Sequence, residues 1–179
     1  MSASELVSPR LFHGTGHVLA TGEQLEPRFR GRNFTNRVVE GPNLGGVVFA
    51  SPNIEDARQH AGGKSDNFYD FNPIYEVPSD SFSSMHDILT EHAKTNPSFL
   101  EKNPDFPNKV RDTGGGHLMN KSEMNNLYVS TKPVTPTAIV GWGKNTNFIA
   151  NGRLKKNPLF HAAVAASTAM LGAPINNSQ

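Results

Sequence analysis

Leu11-Phe12-His13-Gly14-Thr15 decides how the rest of the chain is read. Two apolar residues running into a polar turn mark the end of a buried strand. Gly14 lets the backbone turn or lie close to a ligand. His13 and Thr15 then set an imidazole and a hydroxyl on one strand end, beside exposed backbone N–H groups. That is a compact way to hold a polar, phosphate-bearing or nucleoside ligand; the plainer alternative is that the two residues cap a turn.

Downstream, Val18-Leu19-Ala20 precedes a Gly turn and the stretch Gly22-Glu23-Gln24-Leu25-Glu26-Pro27. Gly31-Arg32-Asn33-Phe34 falls in a polar loop, and Gly45-Gly46-Val47-Val48-Phe49-Ala50-Ser51 reads as a second buried strand. Ser51 is the expected N-cap of the following helix, with Pro52 at its first position. Ile54, Ala57, Arg58 and Ala61 continue that helix at helical spacing, and Gly62-Gly63 ends it.

The chain has 179 residues, which suits one domain. Seventeen basic residues against 16 acidic ones leave a net charge of +1, too small a field to draw nucleic acid or a membrane surface. Positive charge is local, at Arg28, Arg30, Arg32 and Arg37 and at Arg153, Lys155 and Lys156. The absence of cysteine excludes disulfides, thiol catalysis and Cys-based metal centres, and it fits a reducing, cytoplasmic setting. The N-terminus shows no signal-peptide pattern, and no apolar run is long enough to span a bilayer. No metal site is expected. Sixteen glycines, 13 prolines and 36% hydrophobic residues predict short elements, many turns and one modest core, of α+β class with β dominant.

Residues 1–9 read as a flexible leader and 10–142 as the domain. Met85–Lys94 is an expected amphipathic helix, with Met85, Ile88, Leu89 and His92 on one stripe and Ser83 or Ser84 as cap. Residues 95–122, broken by Pro97, Pro104, Pro107 and Gly114-Gly115-Gly116, read as an irregular insertion, with His117 as a loop residue. Strands return over 126–130 and 137–142. Residues 143–179 form a linker and a short Ala-rich helix, Leu159–Leu171, suited to packing on the body or docking on a partner.

The order of these blocks resembles the ADP-ribosyltransferase fold, and the rifampin ADP-ribosyltransferases in particular. The resemblance rests on Leu11–Thr15, Gly22-x-x-Leu25-x-Pro27, Asn33-Phe34, the Val47–Phe49 strand and Ser51-Pro52 leading to Ala57. It resumes at Pro73–Val77 and from Ser130-Thr131-Lys132-Pro133 to Ala138–Gly141, covering roughly residues 10–142 with gaps. RNA 2′-phosphotransferases share a similar opening and also consume NAD.

The resemblance implies a small split β-sheet core with short helices and long loops, and transfer of ADP-ribose from NAD with release of nicotinamide. It implies that His13 holds the adenosine ribose and that Gly14 and Thr15 contact the nicotinamide amide. Arg32, with Arg28 and Arg30, would clamp the pyrophosphate, and Phe49, Ser51 and Tyr75 would line the dinucleotide. The family's stacking Tyr falls on Val48, with Phe49 next along, so Phe49 packs in the core or another ring (Phe34, Tyr69, Phe71 or Tyr75) stacks on the nicotinamide. The acid that faces the ribose falls on Asp87 or on Glu123; each has a plainer reading, Asp87 in a first helical turn and Glu123 in a solvated loop. The acceptor is left open between a small molecule, a protein side chain and a nucleic-acid end. NAD glycohydrolysis and RNA 2′-phosphotransfer are neighbouring activities. A catalytically degenerate module that keeps only the scaffold is the rival from another class.

Overall fold

A computed structural model describes residues 8–27, 46–62, 69–111, 118–145 and 155–171. The chain is α+β, with small antiparallel sheets and short helices. Among the described residues helices hold more of the chain than strands do, so the expected dominance of β does not hold.

Strands β1 (Leu11–Gly14), β3 (Phe71–Val77) and β8 (Ala138–Lys144) form one sheet in the order β1-β3-β8. Helix α1 (Ile54–Gly62) packs across it. The alternation of strand side chains sorts the core. Leu11 joins Leu25, Val48, Tyr75, Val77 and Val134 on one face, while Phe12 joins Ala57, Ala61 and Ile74 beneath α1. Gly14 has its own reason here: a Cβ would lie 1.7 Å from the Ala57 carbonyl oxygen and 2.8 Å from the Ala61 nitrogen. The glycine therefore permits the close approach of a helix backbone.

Helix α1 begins later than Ser51-Pro52 suggests. Asn53 is the cap, its Oδ1 accepting from the Glu55 N–H at 3.0 Å, while Ser51 Oγ accepts from the Asn53 N–H at 3.0 Å in a turn before it. The two side chains act in succession, two residues apart, and the second stands at the helix start. At the other end Asn72 Nδ2 donates to the Ala61 carbonyl at 2.8 Å, satisfying one of the last-turn acceptors.

The second sheet runs β2-β7-β4, from β2 (Val48–Ala50), β7 (Tyr128–Ser130) and β4 (Ser83–Ser84). Behind it lie α2 (Met85–Thr95) and α4 (Lys121–Asn126). Ser84 caps α2, and Met85 and Leu89 are buried with Met124 of α4. The stretch 95–122 is not the irregular insertion that its prolines predict. It carries α3 (Pro97–Lys102) and a hairpin of β5 (Lys109–Arg111) with β6 (Leu118–Asn120). Pro97 starts α3 rather than breaking a helix, and Phe99, Val110 and Met119 drive the segment into the main core. The Gly114–Gly116 and His117 positions lie outside the described residues.

Helix α5 (Pro158–Leu171) closes the described chain. Phe160 stacks on Phe71 with ring centroids 3.9 Å apart and meets Trp142 edge-on at 5.4 Å. Beyond this first turn, residues 162–167 are exposed. No helix among the described residues is long and apolar enough to cross a membrane.

Candidate functional site

Among the described residues one backbone bridge joins the two three-stranded sheets. Phe12 and Ser51 exchange both backbone hydrogen bonds, at 2.8 and 3.0 Å, and then the strands part as β2 turns to pair with β7. His13 is the next residue on β1, half-buried, at the point of parting. Its Nδ1 lies 2.6 Å from the Phe49 carbonyl oxygen. A carbonyl only accepts, so Nδ1 carries the hydrogen, and in the neutral ring Nε2 is the acceptor. The imidazole thus continues by side chain a ladder that the backbones have given up, and its orientation is fixed.

The chain after β1 is held in shape by short contacts. Thr15 is buried and its Oγ1 accepts from the His17 N–H at 3.1 Å. Tyr75 Oη accepts from the Leu19 N–H at 3.0 Å, and Glu23 Oε2 accepts from the Ala20 N–H at 2.8 Å. The second Glu23 oxygen lies 2.8 Å from His17 Nε2. Gly22 makes the turn with φ of +82°, and Leu25 pairs with Val134 to close the loop. Thr15 is therefore a loop strut.

Tyr75 is one too. It is 4% exposed, paired across the sheet with His13, and its ring packs among Leu11, Val48 and Val77. Burial pushes its phenol above the ordinary value, the Leu19 N–H pulls the other way, and the Glu23 carboxylate adds to the rise. Val48 and Phe49 face opposite sides, as strand alternation requires. Val48 enters the Tyr75 cluster, and Phe49 packs against the other core cluster, the one that holds Met85, Leu89 and Phe99. Phe49 reaches His13 through its carbonyl, with its ring in the core. Of the other rings, Phe71 is stacked on Phe160, while Phe34 and Arg28, Arg30 and Arg32 lie outside the described residues. Ser51 Oγ donates to Asp56 Oδ2 at 2.9 Å, tying the strand end to α1.

The two candidate acids hold the same local position on two helices. Asp87 is the third residue of α2; its N–H donates to Ser84 Oγ at 3.1 Å, and its Oδ2 accepts from that hydroxyl at 2.7 Å. Its side chain is 74% exposed. Glu123 is the third residue of α4 and completes a capping box with Asn120, at 2.7 and 3.0 Å. Both carboxylates also suit the positive end of the helix dipole. Ala50, Tyr128 and Ser84 form one row across the second sheet. At about 4.8 Å per strand, the start of α2 therefore lies about 10 Å from β2. Asp87 lies on α2, just after the second sheet's outer strand β4, while His13 stands on the first sheet.

One polar hub has no counterpart in the sequence reading. Asp70 Oδ1 accepts from the Phe71 N–H at 3.0 Å and the Asn157 N–H at 2.9 Å, and Oδ2 lies 2.9 Å from His161 Nε2. Asn157 is fully buried and donates from Nδ2 to the Phe71 carbonyl at 2.8 Å. Together they fasten the base of α5 to β3. Partial burial pushes the Asp70 carboxyl up, but bonds from Asn157, His161 and Phe71 outweigh it and hold the group below its ordinary value. Only the long separation in sequence, 70 to 157, hid this clamp.

Among the described residues no group of three His, Asp or Glu side chains is placed to hold a metal ion. No protein-family model, curated protein or solved structure matches the chain.

Proposed function

We propose that the chain is a mono-ADP-ribosyltransferase of the rifampin-transferase-like branch, which takes ADP-ribose from NAD and gives it to an acceptor. The observation that carries this reading is His13, held by the Phe49 carbonyl where the two sheets part. A fixed imidazole at the mouth of a split sheet, on the motif Leu11–Thr15, is the arrangement that the resemblance calls for. In the reaction the bond between ribose C1′ and the pyridinium nitrogen breaks, and its electron pair neutralises nicotinamide as it leaves. A lone pair of the acceptor forms the new bond to C1′, and the acceptor's proton passes to a base. Because the leaving group is neutral, positioning and electrostatics supply most of the rate. His13 orients the ribose, and a carboxylate, Asp87 or Glu123, stabilises the cationic sugar.

A second reading has its own observation. Asp87 and Glu123 both cap helices, and the Phe49 ring packs against the core. A chain with those groups engaged in structure keeps the scaffold as a binding module without turnover.

Release of nicotinamide from NAD by the purified protein, with a cell lysate as acceptor source, tests the first reading. The expected result is release by the wild type and none by His13→Ala. Release without any labelled acceptor points to water as acceptor, a glycohydrolase. NAD binding without release leaves the module, and neither binding nor release removes the family as a guide.

A further inference from the structure

The chain that leaves β1 at His13 is brought back at Leu19, whose N–H donates to Tyr75, the register partner of His13. A surface cleft of about 540 Å3 opens on this loop. Residues 17–21 line one wall, and Tyr69 and Leu159 line the other. Through Leu19 and Tyr75 the cleft continues the His13 site.

His17 is the imidazole on that wall. Its Nε2 lies 2.8 Å from Glu23 Oε1. A carboxylate only accepts, so Nε2 carries the hydrogen and Nδ1 of the neutral ring is the acceptor. Among the described residues Nδ1 has no partner, and the side chain is 45% exposed. Glu23 is itself fixed, because its Oε2 accepts from the Ala20 N–H at 2.8 Å. The backbone of His17 is fixed too, by its N–H on Thr15 Oγ1 at 3.1 Å. Ring, carboxylate and backbone are thus ordered before any ligand arrives.

No other imidazole among the described residues combines these traits so near His13. His17 follows His13 by four residues, at most about 14 Å of chain. His161 also has a carboxylate partner, Asp70. Asp70 precedes Tyr75 by five residues, roughly 16 Å along the strand. His86 has a buried Nε2, and His92 Nδ1 is taken by Asn96 at 3.1 Å. His60, exposed on α1, has no carboxylate partner among the described residues.

We propose that His17, oriented by Glu23, is the base that takes the acceptor's proton, and that the acceptor enters by this cleft. The proposal rests on the transferase reading and supplies the base that reading requires. A lone pair of the acceptor's oxygen or nitrogen bonds to C1′ as the bond to nicotinamide breaks. The proton on that oxygen or nitrogen passes to Nδ1, and the Glu23 carboxylate stabilises the imidazolium until water removes the proton. His17 is then a catalytic residue and Glu23 a positioning residue.

Nucleophiles with and without a proton to lose test this. NAD is given to the full chain in water, with methanol added, and with azide added, and nicotinamide release and the ribosyl product are measured. Water and methanol must give up a proton; the azide anion has none. His17→Ala is expected to lower release to water and to methanol by about 10²-fold or more, the usual share of a general base. Azide restores release in the variant to near the wild-type azide rate, and the variant binds NAD as the wild type does. Glu23→Gln is expected to act in the same direction. Its amide oxygen keeps the Ala20 N–H, so its NH2 faces His17 Nε2 and forces the hydrogen onto Nδ1, where the base must be empty. Unchanged release to water and methanol in His17→Ala overturns the base and leaves the transferase reading standing. Loss that azide does not restore makes His17 and Glu23 a loop tie and overturns it as well. A wild type that releases no nicotinamide with any of the three removes the transferase reading, and this proposal with it.

Discussion

A Cβ added to Gly14 would sit 1.7 Å from the Ala57 carbonyl oxygen. Helix α1 thus lies on β1 as closely as backbone allows, one residue beyond His13. The obstruction is backbone, so it does not yield by a change of rotamer. Gly14→Ala is expected to destabilise the protein by about 3 kcal/mol or more, at or above the upper end of ordinary overpacking. Urea denaturation followed by circular dichroism measures it. A loss under about 1 kcal/mol would mean that α1 slides freely on the sheet.

The hydrogen bond from His13 to the Phe49 carbonyl separates a structural from a chemical role. His13→Ala loses about 1 kcal/mol, the net worth of such a bond. His13→Asn puts an amide N–H where Nδ1–H stood and recovers most of that stability. It has no counterpart of Nε2, so under the proposed reading nicotinamide release stays absent. Recovery of both stability and release in the Asn variant would reduce His13 to a strut.

Acid should loosen the base of α5. Asp70 has its carboxyl held below the ordinary value of 3.8 by the bonds that dock the helix. A group whose pKa is depressed by folding adds stability above its unfolded pKa, and loses it as pH falls through the folded one. Docking is therefore complete at neutral pH and weakens below about pH 3.8. Trp142 is the single tryptophan, and Phe160 packs on it, so its fluorescence reports the event. Asp70→Asn should show the undocked signal already at pH 7 and lose that acid step. An unchanged acid transition in the variant would mean that other carboxylates govern it.

Burial separates the two ends of the helical half. Leu89 is 1% exposed at the centre of the main core, and Leu89→Ala is expected to cost about 2–5 kcal/mol. Val164 is 47% exposed on α5, and Val164→Ala should stay within about 0.5 kcal/mol. A large loss at Val164 in dilute solution would show that the outer turns of α5 are covered in solution.

The sequence made β1, the second strand and α2 legible because each depends on local pattern. Leu11 and Phe12 end a strand, Val48 and Phe49 alternate, and Ser84 with Met85 and Leu89 spells a capped amphipathic helix. Residues 95–122 were illegible because Pro97 counts as a breaker unless its place at a helix start is known. Glu23 and Asp70 were illegible for another reason: their partners, Ala20 and His17 in one case and Asn157 and His161 in the other, follow from tertiary closure. The two acids show a pattern that invites two readings. Ser84-x-x-Asp87 and Asn120-x-x-Glu123 both have capping-box spacing, and a carboxylate three residues after a hydroxyl or amide side chain signals a cap before it signals chemistry.

That double reading can be resolved at Glu123. Its Oε2 accepts from the Asn120 N–H at 2.7 Å, and a glutamine amide oxygen accepts the same bond. Glu123→Gln therefore keeps the box and gives up only the charge, at a cost of about 0.5 kcal/mol to the helix dipole. Glu123→Ala removes both, at about 1 kcal/mol. If Glu123 stabilises the ribosyl cation, nicotinamide release falls by about 10²-fold or more in the Gln variant while its stability stays near wild type. If Glu123 is only a cap, release follows stability and the Gln variant turns over like the wild type. Asp87→Asn makes the matching pair, since the asparagine oxygen accepts from Ser84 as the carboxylate does. A drop in one variant alone assigns the acid, and a drop in neither, with the wild type active, moves it to another residue.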